Sequence, residues 1–323
     1  MSIEPSPTLP LAEIADASDH APSDDPWWQE SSLFMWSDPR RGMGGEYRFG
    51  LHHNRGVANV YTWTSVDGEI VDRRVAHDLP LPETPLLESN LAGVTFETIE
   101  PLTKYRIRMC HGELTADFVW TAFMPPVAMS LNHAGAKMAA GHYNTIGRAI
   151  GAGTYKGHAF TINGDGFHDH SWGRRKEQLP GSRFCVAVFD PEFFFLAMPV
   201  LGDDDRTTML GYVAADGRLR RLANDYEMGY TMRDDWITPA SCDARLFDED
   251  GRGFRLLGRT VGPSSWQPFP QGKFVTHAKA EFECGGRLGR GILESTAPRY
   301  LSSAQLAAIG LPGDHFLNAP FAE

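Results

Sequence analysis

The 323-residue chain is short of everything that usually declares a function at first reading. It has few cysteines: Cys110, Cys185, Cys242 and Cys284 are scattered, with no CxxC spacing. That excludes a disulfide framework or a cysteine-ligated zinc module and leaves buried, reduced thiols as the expectation. Positive charge is also in deficit: 30 Lys and Arg stand against 41 Asp and Glu, a formal net charge of −11. An acidic chain of this kind does not offer the basic face that nucleic acids require, and it disfavours docking on an anionic membrane. No apolar run reaches the length of a membrane span. The amino terminus lacks a basic stretch followed by an apolar one, so no secretory signal is expected and the cytoplasm is the default address. Neither G-x-G-x-x-G after a strand nor a P-loop occurs, so no organic cofactor is expected. Ser171 lacks a G-x-S-x-G setting, which argues against a serine nucleophile.

Helical periodicity is scarce as well. Residues 1–25 are rich in Pro, Ser, Asp and Ala and predict a tail draped over the body, with a turn or two of helix within Leu9–Ala17. Pro26-Trp27-Trp28 follows; the two indoles either anchor that tail or place one ring, Trp27, in a ligand pocket. From Glu46 onward the chain is written in short strands and tight turns. Strands are expected over Tyr47–Leu51, Ala58–Thr64, Ile70–Ala76, Val94–Ile99, Tyr105–Met109 and Glu113–Phe123. Asp67-Gly68, Lys156-Gly157 and Asn163-Gly164 are turn signals. Four hairpins are expected later, closed by Asp190-Pro191-Glu192, Asp216-Gly217, Asp250-Gly251 and Gly285-Gly286. Leu301–Leu311 is the one convincing helix, opened by Ser302 or Ser303. This grammar predicts an all-β fold of antiparallel sheets in two barrel-like halves, residues 26–165 and 166–323.

Mid-chain lies the densest set of reactive side chains, Gly164-Asp165-Gly166-Phe167-His168-Asp169-His170-Ser171-Trp172-Gly173-Arg174-Arg175. On a strand, Phe167, Asp169 and Ser171 face one way and His168, His170 and Trp172 the other. His168 and His170 share a face as metal ligands can, with His142 or Glu294 as a third, but the spacing is weak and no metal is expected. Asp169 among aromatics is the natural acid: burial raises a carboxyl pKa, and a proton held in a dry pocket can be given to an alkene or a leaving hydroxyl. Its plainer role is to accept hydrogen bonds or pair with Arg174 or Arg175. Trp172 is either core or a cation-stabilising wall. The residues leave open which face lines a cavity.

The same block, with His142-Tyr143-Asn144-Thr145-Ile146-Gly147-Arg148 before it and Gly289-Arg290-Gly291-Ile292-Leu293-Glu294 after it, resembles the carotenoid 1,2-hydratase (hydroxyneurosporene synthase)-like superfamily, which includes AttH-like proteins. The likeness spans Trp27 to Arg299, and its specific part is Asp169 to Gly173. Many relatives place Arg before the Asp and an Asp-Trp pair after the last Arg, where this chain has His168 and Lys176-Glu177. The resemblance implies two tandem lipocalin-like barrels with a hydrophobic small molecule as partner. It implies a hydratase or dehydratase of a terpenoid-like or polyketide-like compound, or alternatively a binder, isomerase or cyclase. In that reading Asp169 is the acid, His170 or His168 orients it, and Glu294 activates water. Trp172, Tyr143, Trp27, Phe167 and His142 wall the site.

Overall fold

Two large sheets hold most of the described residues of the computed structural model. The structure describes residues 3–129, 132–133, 136–137, 139–174, 183–201, 207–235, 238–268 and 274–297. The first sheet runs, edge to edge, through Glu69–Pro80, Val57–Val66, Met43–His52, Trp28–Asp38, His158–Arg174, Gly141–Tyr155, Leu114–Ala122, Lys104–His111, Val94–Glu100 and Asn90–Leu91. The second runs through Glu4–Pro5, Arg218–Arg221, Thr207–Ala215, Phe193–Leu201, Arg183–Asp190, Arg287–Ala297, Phe274–Cys284, Gly253–Pro268, Pro239–Phe247 and Glu227–Met232. Each curls as a half-barrel of antiparallel strands, so the all-β, lipocalin-like fold holds. Among the described residues the only helical turns are short 3₁₀ segments, such as Ile14–Ala17.

Turn chemistry explains the ladders. Asp67-Gly68, Lys156-Gly157 and Asp216-Gly217 each place two consecutive residues at positive φ, the pair of conformations that a two-residue hairpin needs. Asn163-Gly164 does not turn. It lies inside the 17-residue strand His158–Arg174. A Cβ at Gly164 would stand 2.4 Å from a ring carbon of Trp36, so glycine serves close packing there and not reversal of the chain.

The division between the halves also differs from the expected 165/166. His158–Arg174 belongs wholly to the first sheet, and the next long strand, Arg183–Asp190, belongs to the second. The expected tail contributes to both layers. Glu4–Pro5 adds a parallel strand to the second sheet, and Ile3 and Leu9 are buried between the sheets. The helix expected at Leu301–Leu311 lies outside the described residues. Cys185, Cys242 and Cys284 are buried and Cys110 is exposed, all of them free.

Three apolar clusters follow from strand alternation. One fills the curl of the first sheet around Phe34, Trp36, Phe96, Tyr105, Phe118 and Trp120. A second fills the other sheet around Phe195, Phe254, Leu256 and Phe282. The third joins the two sheets back to back through Leu33, Met35, Ile146, Phe167, Phe184, Val186 and Ile292. Trp28–Asp38 is therefore covered on both faces and buried at every position, although it carries Gln29, Glu30, three serines and Asp38. Polar groups so placed need partners, and the partners define the site.

Candidate active site

The central motif sits on His158–Arg174, between Trp28–Asp38 and Gly141–Tyr155. Register fixes what each side chain meets: His168 opposes Phe34 and Thr145, Asp169 opposes Leu33 and Asn144, and His170 opposes Ser32 and Tyr143. Alternation then separates neighbours in sequence. His168, His170 and Trp172 face the interior of the first half, with Tyr143. Phe167, Asp169 and Ser171 face the second sheet, with His142. The expectation that His168 or His170 orients Asp169 is corrected by this pleat, because the imidazoles lie on the opposite face of the strand from the carboxylate.

On the inner face His168 is a core residue. It is fully buried, stacked on Phe34 with ring centroids 4.1 Å apart, and it packs against Tyr105, Trp120 and Tyr143. Its Nδ1–H donates to the Leu33 carbonyl at 3.0 Å, and the Tyr143 hydroxyl donates to Nε2 at 3.4 Å. Burial pushes its pKa down to about 3, so the ring is neutral. His170 donates through Nε2 to Glu30 at 2.5 Å, and both are inaccessible to solvent. His20, from the amino-terminal segment, donates to the same Glu30 oxygen through Nδ1 at 3.0 Å and stacks on Trp172 with centroids 3.7 Å apart. Burial works against the charge on Glu30, but the hydrogen bonds from His170 and His20 win and hold its pKa below the usual value. Glu30 and His20 carried no signal of their own in the sequence.

The face toward the second sheet is also polar, and it collects Asp169, His142 and Asn144. Tyr212 of the second sheet donates to the Asn144 side-chain oxygen at 2.8 Å. Arg48 is buried on the same face. Its desolvation lowers its pKa, and the charges of Tyr61, Asp169 and Glu46 act the other way. Asp169 itself is half-buried. Phe167, two residues earlier on this face, meets Phe184 of the second sheet with centroids 4.9 Å apart. Phe184 is in register with Glu294, whose Oε2 accepts from His277 Nε2 at 2.9 Å. His277 Nδ1 lies 2.7 Å from Glu46 Oε2 in the first sheet, and that oxygen also accepts from the Trp63 indole N–H at 2.7 Å. Burial disfavours a charged His277, yet Glu46 and Glu294 outweigh it and raise its pKa to about 10. Sequence reasoning missed His277 and Glu46, which lie far apart in the chain and meet only because the sheets pack back to back.

The structure thus brings Asp169, Phe167, His142 and Glu294 to the faces between the sheets. It places His168, His170, Tyr143 and Trp172 inside the first half. Trp27 joins neither group: it is half-buried at the entry to its strand, beneath Arg55, whose guanidinium lies 5.4 Å from the ring centroid. A cleft of about 530 Å³ at the hairpin ends of the second sheet, beside Phe193, Arg252 and Arg287, contains none of these residues.

Curled antiparallel sheets with a polar, carboxylate-bearing strand at their junction define a lipocalin-type all-β protein. The chain belongs to the family described as Domain of unknown function (DUF7064), whose model matches residues 13–299. No curated protein matches the sequence. Among solved structures it is similar to a protein of Nitrosomonas europaea described as an AttH candidate, at 17% identity and a TM-score of 0.66, covering 92% of this chain and 98% of that one. It is similar to kievitone hydratase from Nectria haematococca, at 14% identity and a TM-score of 0.58, covering 92% and 96%. It is also similar to CghA, at 12% identity and a TM-score of 0.56, covering 84% and 88%. At these identities the likeness is one of fold. No helix among the described residues is long and apolar enough to cross a membrane.

Proposed function

We propose that the protein is a cofactor-independent hydro-lyase that adds water to, or removes it from, a double bond of a hydrophobic terpenoid-like or polyketide-like molecule held between the two sheets. One observation carries the reading: the rings of Phe167 and Phe184 meet across the sheets, Asp169 lies two residues along the strand from Phe167 on the same face, and Glu294 is in register with Phe184. Acid-catalysed hydration needs this set of parts. A carboxyl delivers a proton to an alkene carbon and leaves a cation, and aromatic faces lower the energy of that cation. A second carboxylate takes the proton of the attacking water as the C–O bond forms. Asp169 is the donor in this scheme. Glu294, already the acceptor of a charge-assisted hydrogen bond from His277, is the base. Phe167 and His142 wall the site, and His277 holds Glu294 in place. The hydratase among the structures of similar fold supports the choice of reaction class.

The test is a panel of apolar alkenes and alcohols incubated with the protein and followed for gain or loss of one water by mass. Turnover that disappears in both Asp169→Asn and Glu294→Gln supports the assignment. Full turnover in either folded variant removes that carboxylate from the mechanism.

A further inference from the structure

His20, Glu30 and His170 lie apart from the proposed carboxylate pair, on the opposite face of the first sheet, and their ligand-type atoms all fall within 4.8 Å of one another. We propose that these three residues form a site for a divalent transition metal, with zinc the best match, and that the ion fastens the amino-terminal segment to the first sheet.

The donor set is the first argument. Two imidazole nitrogens and one carboxylate oxygen are borderline donors of the kind zinc prefers. Ligands about 2.0–2.1 Å from zinc stand roughly 3.3 Å apart in a tetrahedron. His20 Nδ1 is 3.0 Å from Glu30 Oε1, close to that spacing. His170 Nε2 is 2.5 Å from the same oxygen, so only a small opening admits the ion.

The second argument is how firmly the donors are aimed. The His20 ring lies flat on Trp172, with 7° between the planes, which fixes the direction of Nδ1. A Cβ at Gly141 would stand 2.2 Å from the Trp172 ring, so the bare backbone there is what lets the indole take this position. The other nitrogen of His20, Nε2, lies 3.9 Å from Asp16, so a carboxylate of the kind that metal-bound histidines commonly have on their outer side stands nearby without a direct hydrogen bond. Glu30 and His170 are wholly buried, and Nδ1 of His170 has no hydrogen-bond partner among the described residues. A buried carboxylate whose partners are imidazoles is compensated by either a proton or a cation. His168 is not in the set. Its Nδ1 is spent on the Leu33 carbonyl and its Nε2 on Tyr143. The pair that matters is thus a strand histidine and one from the amino-terminal segment, a combination invisible to the spacing of His168 and His170.

The experiment uses the full chain, produced without an affinity tag, stripped with a chelator and titrated with Zn²⁺ by calorimetry and with Co²⁺ by visible absorption. The expected result is one equivalent bound with the ligand-field bands of four-coordinate cobalt. Affinity should fall by at least roughly 100-fold in His20→Ala, and likewise in Glu30→Gln. His20 belongs to no strand, so His20→Ala keeps the test decisive if the buried Glu30→Gln variant fails to fold. Zinc should also slow proteolysis between residues 14 and 25 in the wild type and not in His20→Ala. Absence of saturable one-to-one binding, or binding unchanged in His20→Ala, overturns the proposal. Neither readout involves turnover, so the result stands independently of the hydro-lyase reading.

Discussion

His277 of the second sheet stands 2.7 Å through Nδ1 from Oε2 of Glu46 in the first, an ion pair that crosses the boundary between the sheets. With Glu294 on its other nitrogen, the ring is held charged far above the ordinary range, up to about 10. The folded state therefore binds a proton that the unfolded chain releases near pH 6.5. This contribution to stability is whole below pH 6.5 and is lost as pH rises through about 10. The slope is at most about 1.4 kcal/mol per pH unit. Urea denaturation between pH 6.5 and 10 should show the decline, and His277→Gln should flatten it while lowering stability at pH 6.5. An unchanged slope in the variant would show that the proton sits elsewhere.

His168 behaves in the opposite sense. Its pKa is pushed down to about 3 by burial, so the folded protein excludes a proton that the unfolded chain takes up below pH 6.5. Stability is whole above pH 6.5 and falls as the pH drops toward 3. His52, also lowered to about 3 by burial, adds to the same acid sensitivity. His168→Ala should cost about 3 kcal/mol, since an aromatic-sized cavity opens beside Phe34 and Trp120. His168→Phe should restore much of that loss and weaken the dependence on acid, as thermal melts at pH 5 and 7.5 would show.

These two histidines show how much of the molecule was legible in the sequence. Alternation and turn chemistry are local, so the hairpins and the all-β class could be read from single stretches. The opposite faces of His168 and Asp169 follow from the same period of two. What could not be read is which elements stack. Glu46 and His277 are separated by most of the chain, and no local pattern announces that their strands lie back to back. The amino-terminal segment was legible only in part, for a similar reason: its composition is that of a draped tail with a helical turn, as at Ile14–Ala17, but Ile3, Leu9 and His20 each find a place that only the finished sheets create. Gly164 misled because glycine marks turns and close approaches alike, and the Trp36 ring that decides between them lies on another strand.

Asp165 ties the halves together from the motif's other end. Its oxygens accept from Nε of Arg148 at 2.6 Å and from Nε of Arg290, a second-sheet residue, at 2.6 Å. Arg290 also donates to the Asn163 carbonyl and lies 3.4 Å from Asp38. Removing one member of a buried pair typically costs about 3–5 kcal/mol because a charge is left uncompensated. The two arginines retain some solvent access, so Asp165→Asn should fall toward the lower end of that range. A melt shifted by less than Arg41→Ala, whose partner Thr161 is exposed, would refute the assignment of Asp165 as a clamp.

The roles of Asp169 and Glu294 can be tested by kinetics once a substrate is in hand. A positioned general acid or base is worth about 10²–10⁴-fold, so Asp169→Asn and Glu294→Gln should each lower kcat by that order. Affinity for substrate should change little, because the amides keep the shape of the wall and uniform binding is untouched. The two variants should not be additive, since proton donation and water activation belong to one transition state. Asp169→Asn carries a structural risk, because it removes a negative charge near the buried Arg48. Its melting curve must match the wild type before its rate is interpreted. His277→Gln separates positioning from chemistry: it should lower kcat by less than Glu294→Gln, because the carboxylate stays, and it should remove any fall in rate that follows loss of the His277 proton as pH rises toward about 10. A His277→Gln variant with the wild-type profile would mean that the ion pair serves the sheet junction alone. Glu294 would then have to act without it.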